Sequence, residues 1–462
     1  MKNKKIAILG LGVEGQALFK FLSRDQRNII TICDKKSKNE LEKIIPNFSR
    51  LSKTTNFSSG DNYLKQLNQF DTIYRSPGIP IKTKEIQIAK RNGVKISSSI
   101  KLFFDLFRGT IIGITGTKGK GTTSTLVYSI LKANNKKVIL GGNIGSSLLP
   151  ALSKLNAKTQ DYIVVLELSS FQLQDLEKSP HIAAFLNFSP DHLNHHKNLA
   201  EYFRAKTNIV THQKKNDYII LNFDINKIRG IARLTPAKKY YFSNATKVVT
   251  GSFVRNNKII VRKNNIETEI IDISQINLKG NHNLKNILAA ITITMPFNPD
   301  KTKLKNIIKS FKGLPHRLEF VKKINGVKYY NDSAATNTAA TIAAINSFDT
   351  PTTFIMGGAS KGENYKDLGK AIINSRVKGV ILIGETSDKI QEAILSAQKH
   401  GEKSHTPTII KTKENNMNKI INVAKSISST GDSIVLSPAS ASFDMFYDYK
   451  ERGECFKQAI KD

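Results

Sequence analysis

The chain has 462 residues, of which 39% are apolar, with 28 glycines and 13 prolines, an ordinary globular composition that excludes a disordered or collagen-like polymer. Its formal net charge is +34, from 71 Lys and Arg against 37 Asp and Glu, but the basic residues are dispersed. That pattern predicts a solvated surface that attracts anionic ligands rather than a nucleic-acid-binding block. Cys33 and Cys455 lie far apart without metal-type spacing, which excludes a disulfide scaffold and suits a reducing cytoplasm, and no apolar run approaches the ~18 residues needed to span a bilayer.

The length suffices for about two to four domains. Lys5-Ile-Ala-Ile-Leu9 reads as a buried first strand rather than the core of a signal peptide, because Glu14 interrupts the apolar stretch and no small-residue cleavage site follows. It ends in Gly10-Leu-Gly-Val-Glu-Gly15; a helix-like Gln16–Ser23 follows, and then Ile29–Cys33 ends at Asp34. This is the layout of a dinucleotide-binding turn, with an acidic residue about 20 positions on to meet a ribose hydroxyl. Close packing of strand on helix would use the same glycines. A further strand, Asp71–Tyr74, leads into the turn Ser76-Pro77-Gly78-Ile79 at a sheet edge, where open α/β sheets bind ligands. Residues 1–108 are therefore expected to form a small α/β domain.

A second unit opens with the apolar run Ile111–Ile114, the stretch Thr115-Gly-Thr-Lys-Gly-Lys-Gly-Thr-Thr-Ser124 and a helical Thr125–Leu131. Strand, glycine-rich turn and helix make a phosphate-binding loop. Gly116, Gly119 and Gly121 allow close backbone approach, so N–H groups of the loop and of the helix start can face an anion, and Lys120 supplies a point charge. A Ser or Thr normally follows that lysine to meet Mg²⁺; here Gly121 does, leaving a water or Thr122 as substitute. Lys137–Leu140 ends in Gly141-Gly-Asn143-Ile-Gly145, and Asp161–Leu166 ends in Glu167-Leu-Ser169-Ser-Phe-Gln-Leu173. A strand-end carboxylate beside a phosphate loop is where Mg²⁺ would find an oxygen ligand. Ala183–Phe188 precedes Ser189-Pro-Asp191-His192-Leu-Asn-His-His196, whose histidines suggest zinc but lack a second cluster. Leu199–Val210 is helix-like and carries Lys206; Asp217–Leu221 is expected to close the sheet, and Lys239–Arg262 to form antiparallel strands. Asn283 and Asn286, three apart on a helix, could hydrogen-bond a base edge, or could serve as helix caps. Phe311–Phe320 reads as a linker. Beyond it, strands end in Asn331-Asp-Ser-Ala-Ala-Thr-Asn337, Gly357–Gly362, Gly384-Glu385 and Ser437-Pro-Ala-Ser-Ala-Ser-Phe-Asp444, the pattern of a third doubly wound domain.

Taken together these motifs resemble the Mur ligase family, and within it the members that add D-glutamate. The loop Thr115–Lys120 is common to the family and to folylpolyglutamate synthases; Gly141–Gly145 with Glu167–Leu173 is more particular to the D-glutamate branch. Asp191-His192, His282-Asn283 with Asn286, Leu314-Pro-His-Arg317, Asn331-Asp-Ser333 and Ser437-Pro-Ala439 follow in family order. The resemblance implies an α/β fold of three domains: a Rossmann-like UDP-substrate domain (1–108), a central P-loop-type ATP-binding domain (109–312) and a C-terminal Rossmann-like amino-acid domain (313–462). It implies a cytoplasmic, monomeric ligase joining D-glutamate to UDP-N-acetylmuramoyl-L-alanine with ATP and Mg²⁺, through an acyl phosphate, without nucleic acid or membrane insertion.

By the same resemblance, Gly12, Val13, Glu14, Asp34, Ser76, Pro77, Gly78, Asn143 and Ser169 hold the UDP substrate. Gly116, Thr117, Lys118, Gly119, Lys120, Gly121, Thr122, Thr123, Asn283, Asn286, Arg317 and Asp332 hold ATP. Thr336, Lys361, Ser442 and Tyr449 bind D-glutamate. Lys120, Glu167, His192 and Lys206 carry the catalysis, and Glu167, His192, a carbamylated Lys206 and, more weakly, Thr122 hold Mg²⁺. The family's lysine after Asn-Asp-Ser is Ala334 here, one positive charge fewer. A sister ligase, an NAD-dependent oxidoreductase and a basic nucleic-acid binder are the competing classes; the last two leave the Lys120 loop or Glu167 without a purpose.

Overall fold

Alternating apolar runs and helical stretches resolve into three sheets in the computed structural model, which describes residues 4–44, 55–142, 148–154, 159–191, 195–278, 280–360, 362–399 and 406–461. The chain divides into two compact units, Met1–Phe311 and Lys312–Asp462. The first holds two sheets.

The first sheet contains β1 (Lys5–Leu9), β2 (Ile29–Asp34), β3 (Thr55–Ser59), β4 (Thr72–Arg75) and β5 (Lys95–Ser97), in the order β3-β2-β1-β4-β5 and parallel throughout. The strand order reverses beside β1, so the turns after β1 and β4 open at one switch point. The helix after β1 runs Val13–Leu22 with Gly12 at its N-cap. It begins three residues earlier than the apolar spacing suggested, which places Val13 and Glu14 in its first turn.

The second sheet contains β6 (Thr110–Thr115), β7 (Lys137–Gly142), β8 (Tyr162–Glu167), β9 (Ile182–Phe185), β10 (Tyr218–Asn222), β11 (Lys238–Ser243), β12 (Gly251–Arg255), β13 (Lys258–Lys263) and β14 (Ile266–Asp272). Their order is β14-β13-β12-β11-β10-β9-β6-β8-β7. The central strands are buried on both faces: Ile112, Ile114, Ile163 and Val165 pack with helix residues Leu126, Ile130 and Ile287, whereas Ile111, Val164 and Leu166 pack with Phe103, Phe107 and Leu173. The alternation is the period of a strand, and each such fully buried side chain contributes about 1.5–3 kcal/mol.

Two expectations for this sheet are corrected. Residues 217–221 do not close it, because β10 is flanked by β9 on one side and β11 on the other. Nor is 239–262 antiparallel throughout. The turns at Asn226–Leu234 carry the chain back so that β11 joins β10 in parallel, β12 pairs parallel to β11, and antiparallel pairing starts only at Gly251↔Arg262. Glycine permits that change of direction: Gly251 has φ +138°, and a Cβ there would lie 1.7 Å from the Tyr241 carbonyl oxygen.

The second unit holds β15 (Glu319–Ile324), β16 (Val327–Asn331), β17 (Thr352–Gly357), β18 (Val377–Ile383), β19 (Thr408–Lys411) and β20 (Ser433–Leu436), ordered β15-β16-β20-β17-β18-β19. All pairs are parallel except the β15–β16 hairpin. The three turns leaving β16, β17 and β20 therefore share one sheet edge.

Candidate functional site

The loop between β6 and the helix Lys120–Ala133 turns on two residues only glycine fills easily, Gly116 at φ +154° and Gly119, the helix N-cap, at φ +81°. A side chain at Gly119 would also meet the Asn286 amide, whose Oδ1 would lie 2.2 Å from the new Cβ. Asn286 is thus buried against the loop, on the helix Asn281–Thr294, while Asn283 lies half-buried one turn earlier. Neither is the N-cap, which is Gly280.

Two lysines converge on one carbonyl. Lys120 Nζ donates to the carbonyls of Gly116 at 3.1 Å and Thr117 at 3.0 Å. Lys206, on the helix Leu199–Thr207, donates to the same Gly116 carbonyl at 2.9 Å, with its amine 4.8 Å from the Tyr202 ring centroid. Lys206 is only 2% exposed. Burial, reinforced by the neighbouring Lys120 charge and opposed by Asp191 and Glu167, brings its ammonium down to about 7. Glu167 ends β8, buried, so two carboxylates and two amines share this strand edge. Among the described residues no three His, Cys, Asp or Glu side chains form a complete metal-ligand set. His192 and Asn143 lie outside the described residues. His196, which the sequence offered as one of three histidines, is buried beneath the Phe171 ring with Nε2 3.0 Å from Ser170 Oγ, a packing position. Of the other loop residues, Thr117 and Thr123 are buried, Gly121 is buried in the helix start, and Lys118 and Thr122 reach the surface to differing degrees.

At the first sheet's edge, Asp34 accepts from the Leu11 N–H at 2.7 Å and Ser76 Oγ donates to the Gly10 carbonyl at 3.0 Å, so both shape the glycine turn. Val13 is 73% exposed beside it, and the Pro77-Gly78 turn reaches solvent. The Glu14 carboxylate accepts from Ser99 Oγ and, at 3.0 Å, from the Gln172 amide. Gln172 closes a capping box with Ser169, which starts the helix Ser170–Leu173. Buried Arg75, which the sequence reading passed over, donates to Ile79 O at 2.7 Å and meets Asp175 at 3.2 Å. Glu14 and Arg75 therefore fasten the glycine and Ser-Pro-Gly turns to the segment after β8.

In the second unit, Asp332 accepts from the Leu318 N–H at 3.1 Å and from Ser437 Oγ at 2.8 Å. Arg317 is exposed, Thr336 half-buried, Ser442 buried and Tyr449 exposed at the start of the helix Tyr449–Lys461. Lys361 lies outside the described residues. Ala439, in the turn after β20, holds φ +56°, a left-handed conformation unusual for a non-glycine residue and of the kind functional loops store. What holds these turns is Arg452, which is 1% exposed. It donates from Nε to Ser333 Oγ at 3.0 Å, from Nη1 to Ala441 O at 2.9 Å, and from Nη2 to Ser333 O and Ser440 O at 3.1 Å each. Burial takes its guanidinium down to about 10. Nothing in a helical Tyr-Lys-Glu-Arg sequence distinguishes it from a surface arginine.

Burial pushes the Asp332 carboxyl up to about 7 from 3.8, against the pull of its hydrogen bonds and Arg317. The folded form therefore holds a proton that the unfolded chain has released, and this contribution to stability, complete below about pH 4, is lost as pH rises through 7. Asp332→Asn is expected to flatten that dependence and to raise stability at pH 8 by at least about 1 kcal/mol, because the amide carries no charge to bury, its Oδ1 can accept from the Leu318 N–H, and its Nδ2 can donate to Ser437 Oγ with that bond reversed. Denaturant melts at pH 5 and pH 8 check it; equal pH slopes for the two proteins would contradict it.

Three family models match in order: Mur ligase MurD-like, N-terminal domain, over residues 4–98; Mur ligase middle domain over 114–294; and Mur ligase, glutamate ligase domain, over 316–440. The UDP-N-acetylmuramoylalanine–D-glutamate ligase of Acetivibrio thermocellus is 39% identical over 461 residues, covering 100% of this chain and 97% of the relative. The enzyme of that name from Clostridium tetani is 38% identical over 460 residues, with 100% and 97% covered. In structure, the MurF ligase of Thermotoga maritima in complex with ADP shares the fold at a TM-score of 0.53 and 18% identity, over 100% of this chain and 96% of that one. Full-length identity of this order, with three domain models matched in sequence, establishes that the chain belongs to the Mur ligase family.

Proposed function

We propose that this chain uses ATP to join D-glutamate to the L-alanine carboxylate of UDP-N-acetylmuramoyl-L-alanine, releasing ADP and phosphate. The observation that carries the reading is the convergence of Lys120 and Lys206 on the Gly116 carbonyl beside the Glu167 strand end. The kinship with D-glutamate ligases supports the choice of substrates. An alanine carboxylate is a poor acyl donor. Transfer of the γ-phosphoryl group gives an acyl phosphate; the D-glutamate amine attacks its carbonyl carbon, and phosphate departs from the tetrahedral intermediate. Such transfer depends on positioning and charge neutralisation. Loop N–H groups and Lys120 are assigned to the phosphates, Asn283 and Asn286 to the base, and Arg317 and Asp332 to the nucleotide.

Mg²⁺ suits the oxygen-rich donors here: Glu167 and Asp191 both act on Lys206, and His192 follows Asp191. Glu167, His192 and a carbamylated Lys206 would hold it, and bound Mg²⁺ would neutralise phosphate charge. Lys206 suits carbamylation because, with its ammonium near 7, a large share is the neutral amine at physiological pH. Its nitrogen can attack CO₂ and lose a proton, so a cation becomes an anionic oxygen ligand. Gly12, Val13, Glu14, Asp34, the Ser76–Gly78 turn, Asn143 and Ser169 are assigned to the UDP substrate, Thr336, Lys361, Ser442 and Tyr449 to D-glutamate. The labour divides among residues 1–108, 109–312 and 313–462 of a cytoplasmic monomer. No described helix is long and apolar enough to cross a membrane.

The test is phosphate release from ATP with Mg²⁺ and UDP-N-acetylmuramoyl-L-alanine, comparing D-glutamate with L-glutamate, glycine and lysine. Release only with D-glutamate is expected. Release indifferent to the amino acid would defeat the assignment.

A further inference from the structure

Asn187 lies just beyond β9, outside every residue assigned above. Its amide forms a two-point pair with the backbone of one residue of the phosphate loop: Oδ1 accepts from the Lys118 N–H at 2.8 Å, and Nδ2 donates to the Lys118 carbonyl at 2.8 Å. Oδ1 also accepts from the Thr117 N–H at 3.0 Å, and the main-chain carbonyl of Asn187 accepts from the same N–H at 3.1 Å. Two residues on, the Ser189 N–H donates to Thr117 Oγ1 at 3.1 Å, and that hydroxyl lies 3.2 Å from Ser189 O and 3.3 Å from Tyr202 Oη.

The gripped residues, Thr117 and Lys118, stand between Gly116 and Gly119, both in the left-handed half of backbone space. A loop flanked by such glycines is the one most costly to order, at about 1–2 kcal/mol per residue. A ligand that had to order it would lose that much affinity. With Asn187 in place the cost falls on folding instead. The grip also decides which donors remain. The Thr117 and Lys118 N–H groups are already satisfied by Asn187, so an arriving phosphate meets the N–H groups from Gly119 onward and the Lys120 amine. Finally, residues 187–189 run directly into Asp191, so the same three residues set the loop's position relative to that carboxylate.

We propose that Asn187 is a positioning residue that pre-orders the phosphate loop for nucleotide and registers it to Asp191. This rests on the loop being the ATP site, and the test separates the two claims. Binding of ADP and ATP with Mg²⁺ is measured by calorimetry on the full chain for wild type, Asn187→Ala and Asn187→Asp, alongside thermal melts and the KM values for ATP and the UDP substrate. Asn187→Ala should weaken ADP binding about tenfold and raise KM for ATP by a similar factor, with KM for the UDP substrate within twofold. Asn187→Asp keeps the acceptor oxygen but loses the donor to Lys118 O and adds a negative charge beside the phosphates, so it should bind more weakly still. Wild-type affinity for ADP in Asn187→Ala would overturn the proposal while leaving the nucleotide site standing. Equal losses in both KM values with a lowered melting temperature would show a purely structural role and overturn it too. Failure of the wild type to bind either nucleotide would remove the ATP reading and this one with it.

Discussion

Lys120→Met is expected to lower ligation turnover by roughly 10²–10³-fold, the usual consequence of removing one preorganised charge from a phosphoryl-transfer site. Methionine keeps most of the stem and removes the ammonium. The loop should survive, because the Gly116 carbonyl retains its bond from Lys206 and the glycine turns are unchanged. The substitution has a second effect that a remote loop lysine would not have. The Lys120 charge is one of the forces holding Lys206 near 7, so removing it should move the Lys206 ammonium upward and shrink its neutral fraction at pH 7.5. Two measurements check this: steady-state turnover, and pH-dependent acylation of Lys206 followed by peptide mass spectrometry. Turnover within threefold of wild type would contradict the first expectation, and an unchanged Lys206 labelling profile the second.

Arg452→Met should destabilise the second unit by about 4 kcal/mol or more. Hydrogen bonds to a charged donor contribute about 1.5–3 kcal/mol each, and buried acceptors left without a donor add a penalty. Four such bonds vanish together, three of them donated to the main-chain carbonyls of Ser333, Ser440 and Ala441, residues that the native packing keeps from water. Arg452→Lys should fall between, since an ammonium cannot span the two turns that the planar guanidinium joins. Calorimetric unfolding of the full chain would show the transition of the second unit moving down by about 10 °C for Met and less for Lys. No shift for Met would mean the turns find other donors. Because Ser442, which we propose binds D-glutamate, lies two residues beyond Ser440, the lysine variant should also raise KM for D-glutamate more than KM for the UDP substrate.

The glycine turns, the strand ends and the three-sheet α/β pattern were legible because each is a local property. A glycine after an apolar run, or an acid at a strand's end, carries its meaning within about ten residues. The two features misread, β10 as a sheet edge and 239–262 as wholly antiparallel, failed for the opposite reason. Strand neighbours are chosen by how the chain returns through Asn226–Leu234, and alternating apolar residues look alike in either direction.

The phosphate loop marks the division most sharply. Sequence alone determined that Gly116, Gly119 and Lys120 form a turn able to face an anion, since backbone freedom and charge are intrinsic to those residue types. Tertiary structure decided what surrounds it. Asn187 grips Lys118 from 69 residues away, Lys206 reaches Gly116 across 90, and Arg452 reaches Ser333 across 119. An asparagine, a lysine and an arginine have no local signature for such roles. Each acquires one only when folding removes it from water and sets it against a carbonyl or amide that needs a partner, and burial beside a second lysine is what turns Lys206 from a surface cation into an amine that titrates near neutrality.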